Sequence, residues 1–255
     1  TGLTLTNGET YTVSVRATDT DSQVSDTTTT DGITIDTLAP VISEVIEGNA
    51  GSSSGNNYAL SFDGEDDYVD LGNSSDFDFS NSPLTVMCWV KVRTTDWYNG
   101  IVTKSNDDMG WYLSLSTGGG PHDGEFHFSG INEDGSHRFS AFAETQYMLN
   151  TWYHIAAVYE NGEQKFYLDG VLTDTDNTHP YNLYNSPNNL FIGSGNNDDF
   201  DGLIDELSIW DIVLSESEIQ STMDNELNGN ETGLVGHWNF NEGTGTTLTD
   251  QTAND

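Results

Sequence analysis

Residues 152–170 read WYHIAAVYENGEQKFYLDG. An apolar run from Tyr153 to Tyr159 precedes Asn161-Gly162, and a second run from Lys165 to Leu168 precedes Asp169-Gly170. Asn-Gly and Asp-Gly pairs tolerate positive φ and are preferred in tight hairpin turns. The stretch therefore predicts two strands joined by a tight turn at Asn161-Gly162.

The same turn signal recurs along most of the chain. Runs of strand length lie between several of these turns, so the chain is predicted to be nearly all β. The other turn pairs are Asn7-Gly8, Asp31-Gly32, Asp63-Gly64, Asn99-Gly100, Asp123-Gly124, Asp134-Gly135, Asp201-Gly202 and Asn228-Gly229. Further runs are Tyr68 to Leu71, Leu84 to Val92 and Leu190 to Ile192.

One segment has a helical pattern instead. Residues 215–223 begin with Ser215, and Glu218 follows three residues later, which is the spacing of a capping box. Glutamates in the first turn also complement the helix dipole. The sequence therefore predicts one short helix that begins after Ser215.

The charge balance restricts the partners. The chain has 255 residues, 42 acidic and 6 basic side chains and a formal net charge of −36 at pH 7. Binding to nucleic acid needs clustered Lys and Arg, and anionic membranes repel the same acidic surface. No apolar run approaches the roughly 18–20 residues of a membrane span, so membrane insertion is not expected. Because like charges destabilise a compact state, we expect cations to screen or bind this protein.

Several motifs from residue 58 onward occur in a recognisable order. They are residues 59–71 (ALSFDGEDDYVDL), 84–91 (LTVMCWVK), 152–159, 166–170, 191–193, 202–210 and 214–219. Together they resemble the LamG-like jelly-roll family of the concanavalin A-like lectin and glucanase superfamily. The resemblance implies an all-β fold, an antiparallel jelly-roll β-sandwich of two curved sheets with one short helix. Cys88 and the strand tryptophans are expected to pack in the core or on a sheet. These are Trp89, Trp152, Trp210 and Trp238.

The segments on either side suggest further modules. Residues 5–17 and 33–40 resemble parts of fibronectin type III and bacterial immunoglobulin-like domains, whose tyrosine corner would include Tyr11. Residues 1–46 are therefore expected to be the last strands of a truncated domain of this kind. Residues 47–57 are small and polar and are predicted to be a linker.

The jelly-roll domain is expected to cover residues 58–230. Residues 231–255 resemble the first strand of another LamG-like repeat, but they could also supply a closing strand to this sandwich, which we favour. We expect the chain to be part of a longer modular protein.

The sequence argues against catalysis. Glucanases of this fold alternate carboxylates along one strand so that two flank the glycosidic bond. The comparable strand here reads Leu203-Ile204-Asp205-Glu206-Leu207-Ser208, so this pair cannot be assembled. No Gly-x-Ser-x-Gly elbow is present to position a nucleophile. We therefore expect the chain not to be an enzyme.

Calcium is the metal that the acidic loops favour. Ca²⁺ takes six to eight oxygen ligands from carboxylates and carbonyls. The family resemblance implies Asp63 and Asp205 as the first ligands, with Asp66 and Asp199 as further candidates. The alternative is that these carboxylates are solvated loop charges. Zinc is disfavoured, because His122 and His127 lie five apart with no second pair.

A sugar site needs an aromatic platform with polar side chains around it. Candidates for such a site lie in or next to predicted loops, and they are Trp97, Tyr98, Trp111, His122 and Asn196. The alternative for Trp97 and Trp111 is that they cap one end of the sandwich.

These features predict a non-catalytic, calcium-stabilised, lectin-like module of a secreted or cell-surface protein, extracellular and bacterial. Its partner would be a polysaccharide or a glycoprotein glycan. One alternative is a cell-adhesion or spacer repeat that binds other surface proteins, with Asp19, Asp21 and Asp36 at its joint. Another is an accessory domain of a polysaccharide-degrading enzyme.

Overall fold

The structure is a computed structural model that describes most of the chain from residue 58 onward and isolated strands before it. The described residues are 10–11, 14–15, 28–29, 33–34, 41–45, 58–94, 100–106, 109–117, 119–131, 138–178, 182–194, 199–243 and 246–252. Trp97, Tyr98, Asn196, the proposed linker and Asp19, Asp21 and Asp36 lie outside them.

The chain divides into two units, Thr1–Ala39 and Pro40–Asp255. In the first unit, strand β1 (Thr10–Tyr11) pairs with β4 (Ile33–Thr34), and β2 (Ser14–Val15) pairs with β3 (Thr28–Thr29). A fibronectin-like or immunoglobulin-like identity for this unit stays a prediction.

The described residues of the second unit form fourteen strands in two antiparallel sheets and one α-helix. The strands are β5 Val41–Val45, β6 Tyr58–Asp63, β7 Val69–Asp70, β8 Leu84–Val92, β9 Gly100–Asn106, β10 Met109–Ser116, β11 Glu125–Ile131, β12 Arg138–Gln146, β13 Trp152–Glu160, β14 Glu163–Leu168, β15 Val171–Asp176, β16 Phe191–Ile192, β17 Asp201–Trp210 and β18 Leu234–Trp238. Helix α1 covers Glu216–Asp224, and a 3₁₀ turn covers Ser75–Phe77. The predicted all-β fold is confirmed.

The sheets pack face to face around one core. The large sheet has eight strands in the order β15-β14-β13-β8-β17-β6-β5, with β18 also paired to β17. The small sheet has the order β12-β11-β10-β9-β16-β7. Alternate residues of β8, including Cys88, point into a core that they share with Trp111 and Phe128 of the small sheet. The predicted core position of Cys88 is confirmed, and burial raises the pKa of its thiol.

The hairpin at residues 152–170 forms as predicted. Tyr159 pairs with Gln164 across β13 and β14, and Asn161 and Gly162 form the turn with φ of 50° and 85°. Positive φ at both turn residues gives the twist that matches a right-handed strand pair.

Helix α1 begins as the capping box predicts. The Ser215 hydroxyl accepts a hydrogen bond from the Glu218 N–H, and the Glu218 carboxylate accepts one from the Ser215 N–H. Ile219 then packs with Met87 and Trp210 on the outer face of the large sheet. The helix therefore covers apolar surface that the inter-sheet core does not use.

Two segments complete the large sheet at the domain ends. Strand β5 pairs with β6, so residues 41–45 belong to the sandwich rather than to the preceding unit, where the sequence placed them. Strand β18 pairs with β17, the arrangement that we favoured for the C-terminal segment. Of the described helices, none is long and apolar enough to cross a membrane.

Candidate functional site

The outer surface of the small sheet carries a group of partly exposed rings. Strand β10 alternates, so Trp111, Leu113 and Leu115 enter the core and Tyr112 and Ser114 face outward. Cross-strand pairing places Ser114 opposite His127 of β11 and His127 opposite Phe142 of β12. Neighbouring strands therefore bring together side chains that lie far apart in the sequence.

These rings contact one another in order. The Tyr112 and His127 rings meet edge to face at 5.6 Å, and His127 stacks on Phe142 at 5.5 Å. His122, from the turn before β11, stacks on Phe142 at 3.9 Å with an interplanar angle of 14°. The four rings form a continuous surface across three strands of the small sheet.

The same face continues toward the other edge of the sheet. Phe191 of β16 and Tyr112 of β10 both pair with Thr103 of β9, so all three residues lie on the outer side of the sheet, where Thr103 is buried between its neighbours. Tyr68 meets Phe191 edge to face at 5.8 Å and is 52% exposed. The name "aromatic face" is used below for the six rings of this surface, which are Tyr68, Phe191, Tyr112, His127, Phe142 and His122.

Polar groups accompany the aromatic face. The Ser114 hydroxyl lies 3.4 Å from His127 Nε2, and Arg138 donates a hydrogen bond to the Tyr112 hydroxyl. Burial, with smaller contributions from Arg138 and His122, lowers the pKa of His127 to about 4. His127 is therefore neutral at pH 7 and offers one nitrogen donor and one nitrogen acceptor.

The structure places two of the predicted sugar-binding residues, one on the aromatic face and the other in the core. His122 lies on the aromatic face, whereas Trp111 is 1% exposed and packs in the core against Phe79 and Phe128. The prediction that Trp111 forms an exposed sugar platform is therefore wrong. Strand β10 begins at Met109, and its alternation directs the Trp111 ring into the core.

Other rings of the aromatic face were missed by sequence reasoning. The alternating pattern of residues 109–116 could have indicated that Tyr112 faces outward, because Tyr112 follows an inward-facing tryptophan. His127, Phe142 and Phe191 carry no comparable local signal, because their grouping depends on the strand order of the small sheet.

A group of carboxylates lies at the end of β6. Ligand atoms of Asp63, Asp66 and Asp67 all lie within 4.8 Å of one another. The Asp63 N–H donates to Asp67 Oδ2 at 3.2 Å, and Asp67 is buried. This group, the "aspartate cluster", contains two of the four predicted metal ligands and adds Asp67, which lies in the same acidic loop.

The donors of the aspartate cluster fit calcium. All three are carboxylate oxygens, the ligand type that Ca²⁺ prefers. The neighbouring residue Asp199 has its pKa raised by burial, while its bond from Ser194 lowers the pKa and the charge of Asp63 raises it. The charge of Asp63 therefore acts on the ionisation of Asp199.

Asp205 lies apart from this cluster. Asp201 pairs with Asp63 across β17 and β6, and Asp205 is four residues further along, about 13 Å at strand spacing. It is 5% exposed, and its Oδ1 accepts a hydrogen bond from the Glu206 N–H at 2.9 Å. Burial, with the nearby charge of Glu206, raises the pKa of Asp205 well above its usual value. The structure therefore does not bring the two first-choice ligands together.

A family model for the concanavalin A-like lectin/glucanases superfamily, Laminin_G_3, matches residues 63–220. The chain belongs to this family. The Laminin_G_3 match runs from the aspartate cluster into helix α1 and includes all six rings of the aromatic face.

Individual proteins resemble this Laminin_G_3 chain at low identity. Pappalysin-1 of Mus musculus is 23% identical in an alignment of 181 residues that covers 65% of this chain and 11% of pappalysin-1. A Bacteroides ovatus ATCC 8483 protein to which carbohydrate binding is attributed has a TM-score of 0.59 and 16% identity, covering 96% of this chain and 66% of its own. This chain therefore spans less than two thirds of either relative.

A third relative is shorter. Domain 4 of AbnA, a GH43 extracellular arabinanase from Geobacillus stearothermophilus, was solved in complex with arabinotriose. It has a TM-score of 0.53 and 22% identity, covering 64% of this chain and 75% of its own. At these identities the structural likeness establishes the fold.

Proposed function

We propose that this chain is a non-catalytic carbohydrate-binding module and that the aromatic face is its sugar site. The observation that carries the proposal is the continuous row of rings from His122 to Tyr112 on the outer surface of the small sheet. Sugar rings present apolar C–H faces that pack on aromatic rings, and their hydroxyl groups need donors and acceptors. Neutral His127, one of these rings, and Ser114 beside it supply both.

The relatives support the same class of ligand. Carbohydrate binding is attributed to the Bacteroides ovatus protein, and domain 4 of AbnA was solved with arabinotriose. Since fold alone does not determine function, the aromatic face is the stronger argument. The extracellular description of AbnA favours a secreted or cell-surface location in a bacterium.

The absence of catalysis is part of the proposal. A retaining glycosidase needs two carboxyl groups about 5–5.5 Å apart on either side of the scissile bond. Strand β17 instead carries Asp205, which is buried, and Glu206, which has φ of 50° and contacts His237 Nε2 at 3.1 Å. Those contacts suit a structural role for both carboxylates.

Calcium stabilisation is proposed for the aspartate cluster. Three carboxylates within 4.8 Å repel one another, and burial of Asp67 strengthens that repulsion. A bound Ca²⁺ would offset most of their negative charge and hold the β6–β7 loop, which contains Asp66. Asp63, Asp66 and Asp67 are the residues that would hold the ion.

The experiment is a glycan array followed by titration of the strongest hit. We expect Phe142→Ala to weaken binding about tenfold or more, equivalent to about 1.4 kcal/mol. The matched control is Trp152→Ala, which removes a partly exposed ring from the large sheet and should leave binding unchanged. Equal affinities of wild type and Phe142→Ala would refute the assignment of the sugar site, and a blank array with folded protein would refute the ligand class.

A further inference from the structure

We propose that His122, Glu125 and Glu144 form a binding site for a divalent transition-metal ion of the Zn²⁺ class. The three residues are called the "His–Glu cluster" below. It lies on the outer surface of the small sheet, beside Phe142, and shares no residue with the aspartate cluster. Sequence reasoning considered His122 with His127 and rejected zinc, whereas the structure gives His122 two carboxylate partners instead.

The donor atoms are close enough to share one ion. His122 Nδ1 lies 3.2 Å from Glu125 Oε2 and 4.0 Å from Glu144 Oε1, and all the ligand atoms lie within 4.8 Å of one another. Tetrahedral Zn²⁺ with bonds of about 2.0–2.2 Å holds its ligand atoms about 3.3–3.6 Å apart. A small movement of the exposed Glu144 side chain would therefore complete the geometry.

Two of the three donors are held in place. The Glu125 side chain is buried, and its Oε2 accepts a hydrogen bond from the Glu144 N–H at 3.1 Å. The His122 ring is stacked on Phe142. Binding would thus need little ordering of these two side chains, which lowers the entropic cost of the site.

An irregularity in strand pairing creates the site. Glu125 pairs with Gln146 and His127 pairs with Phe142, so one residue of β11 faces three residues of β12 between these pairs. Glu144 is the middle residue of that extra segment and has φ of 54°. Such bulges redirect side chains. This one brings Glu144 beside a glutamate that is nineteen positions away in the sequence.

Charge and donor type favour a transition metal over calcium. In the part of the chain that the structure describes, His122 is the basic side chain within ion-pair distance of Glu125 or Glu144. A bound cation would therefore offset the repulsion between the two carboxylates. The imidazole nitrogen suits Zn²⁺ and similar ions, whereas Ca²⁺ prefers oxygen alone and more ligands. Three protein donors would leave one coordination position open.

The test is calorimetric titration of the metal-stripped full chain with ZnCl₂ in excess CaCl₂, so that Ca²⁺ occupies acidic groups that bind any cation. We expect one Zn²⁺ to bind per chain in the wild type and in Asp66→Asn, which alters the aspartate cluster. Both His122→Ala and Glu144→Gln should weaken that binding at least tenfold. Glu144 is exposed, so its variant keeps the test valid even if a change at a more buried ligand disturbs folding.

Zn²⁺ binding of unchanged affinity in both variants, or none in the wild type, would overturn the proposal. Glycan binding is measured separately in CaCl₂ without Zn²⁺. Zn²⁺ binding without any glycan binding would support the His–Glu cluster and refute the proposed function, and the reverse result would refute only the cluster. The two proposals therefore fail independently.

Discussion

Trp111 and Tyr112 are neighbours in the chain and face opposite sides of β10. Trp111 fills the core with Phe79 and Phe128, while the Tyr112 ring contacts His127 on the outer surface. The two aromatic residues should therefore separate stability from binding when each is replaced.

Trp111→Ala is expected to lower the free energy of unfolding by about 3–5 kcal/mol, because it leaves a large cavity in the core. Tyr112→Ala should cost about 1 kcal/mol, which is typical of a partly exposed position. Urea denaturation of both variants measures the difference. Similar losses of stability in the two variants would contradict the burial that distinguishes these rings.

The buried carboxyl of Asp205 gives a pH prediction. Its pKa is raised in the folded state, so above the usual pKa the unfolded chain releases this proton before the folded chain does. Stability from this group is therefore present at low pH and decreases as pH rises toward the folded-state pKa. Asp205→Asn removes the ionisation, and it should be more stable than wild type at pH 7.

The advantage of Asp205→Asn should shrink as pH falls toward about 4, where Asp is protonated in the unfolded chain too. Thermal melts of both proteins across this range test the sign. The matched control is Asp70→Asn, because Asp70 is exposed. An advantage that grows on acidification would show that the assigned shift has the wrong direction.

At the scale of elements, helix α1 depends on a local signal that the sequence displays in full. Ser215→Ala removes the hydroxyl that accepts from the Glu218 N–H, and it should lower the free energy of unfolding by about 1 kcal/mol. Ser221→Ala, an exposed position within the same helix, is the control and should have little effect. Chemical denaturation distinguishes them. Equal stability of wild type and Ser215→Ala would show that the cap contributes nothing.

Elements with local signals were predictable, and their long-range partners were not. The turn at Asn161-Gly162 and the cap at Ser215 each depend on residues within a few positions of one another, and both formed as expected. The prediction of two packed sheets came from the family resemblance. The pairing of β5 with β6 had no local signal, so residues 41–45 were assigned to the wrong unit.

The candidate sites follow the same rule. Asp63 and Asp66 share one loop, and the sequence identified both as candidate ligands before the structure grouped them. Phe142 and Glu144 reach their partners only through the irregular pairing of β12 with β11, which no sequence motif announces. Rows of side chains across several strands are therefore the part of a β-sandwich that sequence reasoning predicts least well.

At the scale of the whole molecule, a net charge of −36 should make stability depend on cations in two ways. Monovalent salt screens general repulsion, whereas Ca²⁺ would also bind the aspartate cluster. A site that binds only the folded chain adds about 2.7 kcal/mol when the ion is at 100 times its Kd. Melting temperatures in NaCl and CaCl₂ at equal ionic strength separate the two effects.

Asp66→Asn should lose most of the additional stabilisation by Ca²⁺ and keep the response to NaCl. Glu226→Gln provides a control with the same charge change at an exposed position outside the cluster. An identical calcium response in Asp66→Asn and Glu226→Gln would remove the basis for calcium at this site.

The most direct test of the central claim is an NMR titration of the wild-type chain with the strongest glycan-array hit, observing aromatic side-chain signals. The account predicts saturable shifts at Tyr112, His127 and Phe142, with the Trp152 signals of the large sheet unchanged. Shifts that cluster around Trp152 and leave the aromatic face unperturbed would contradict it.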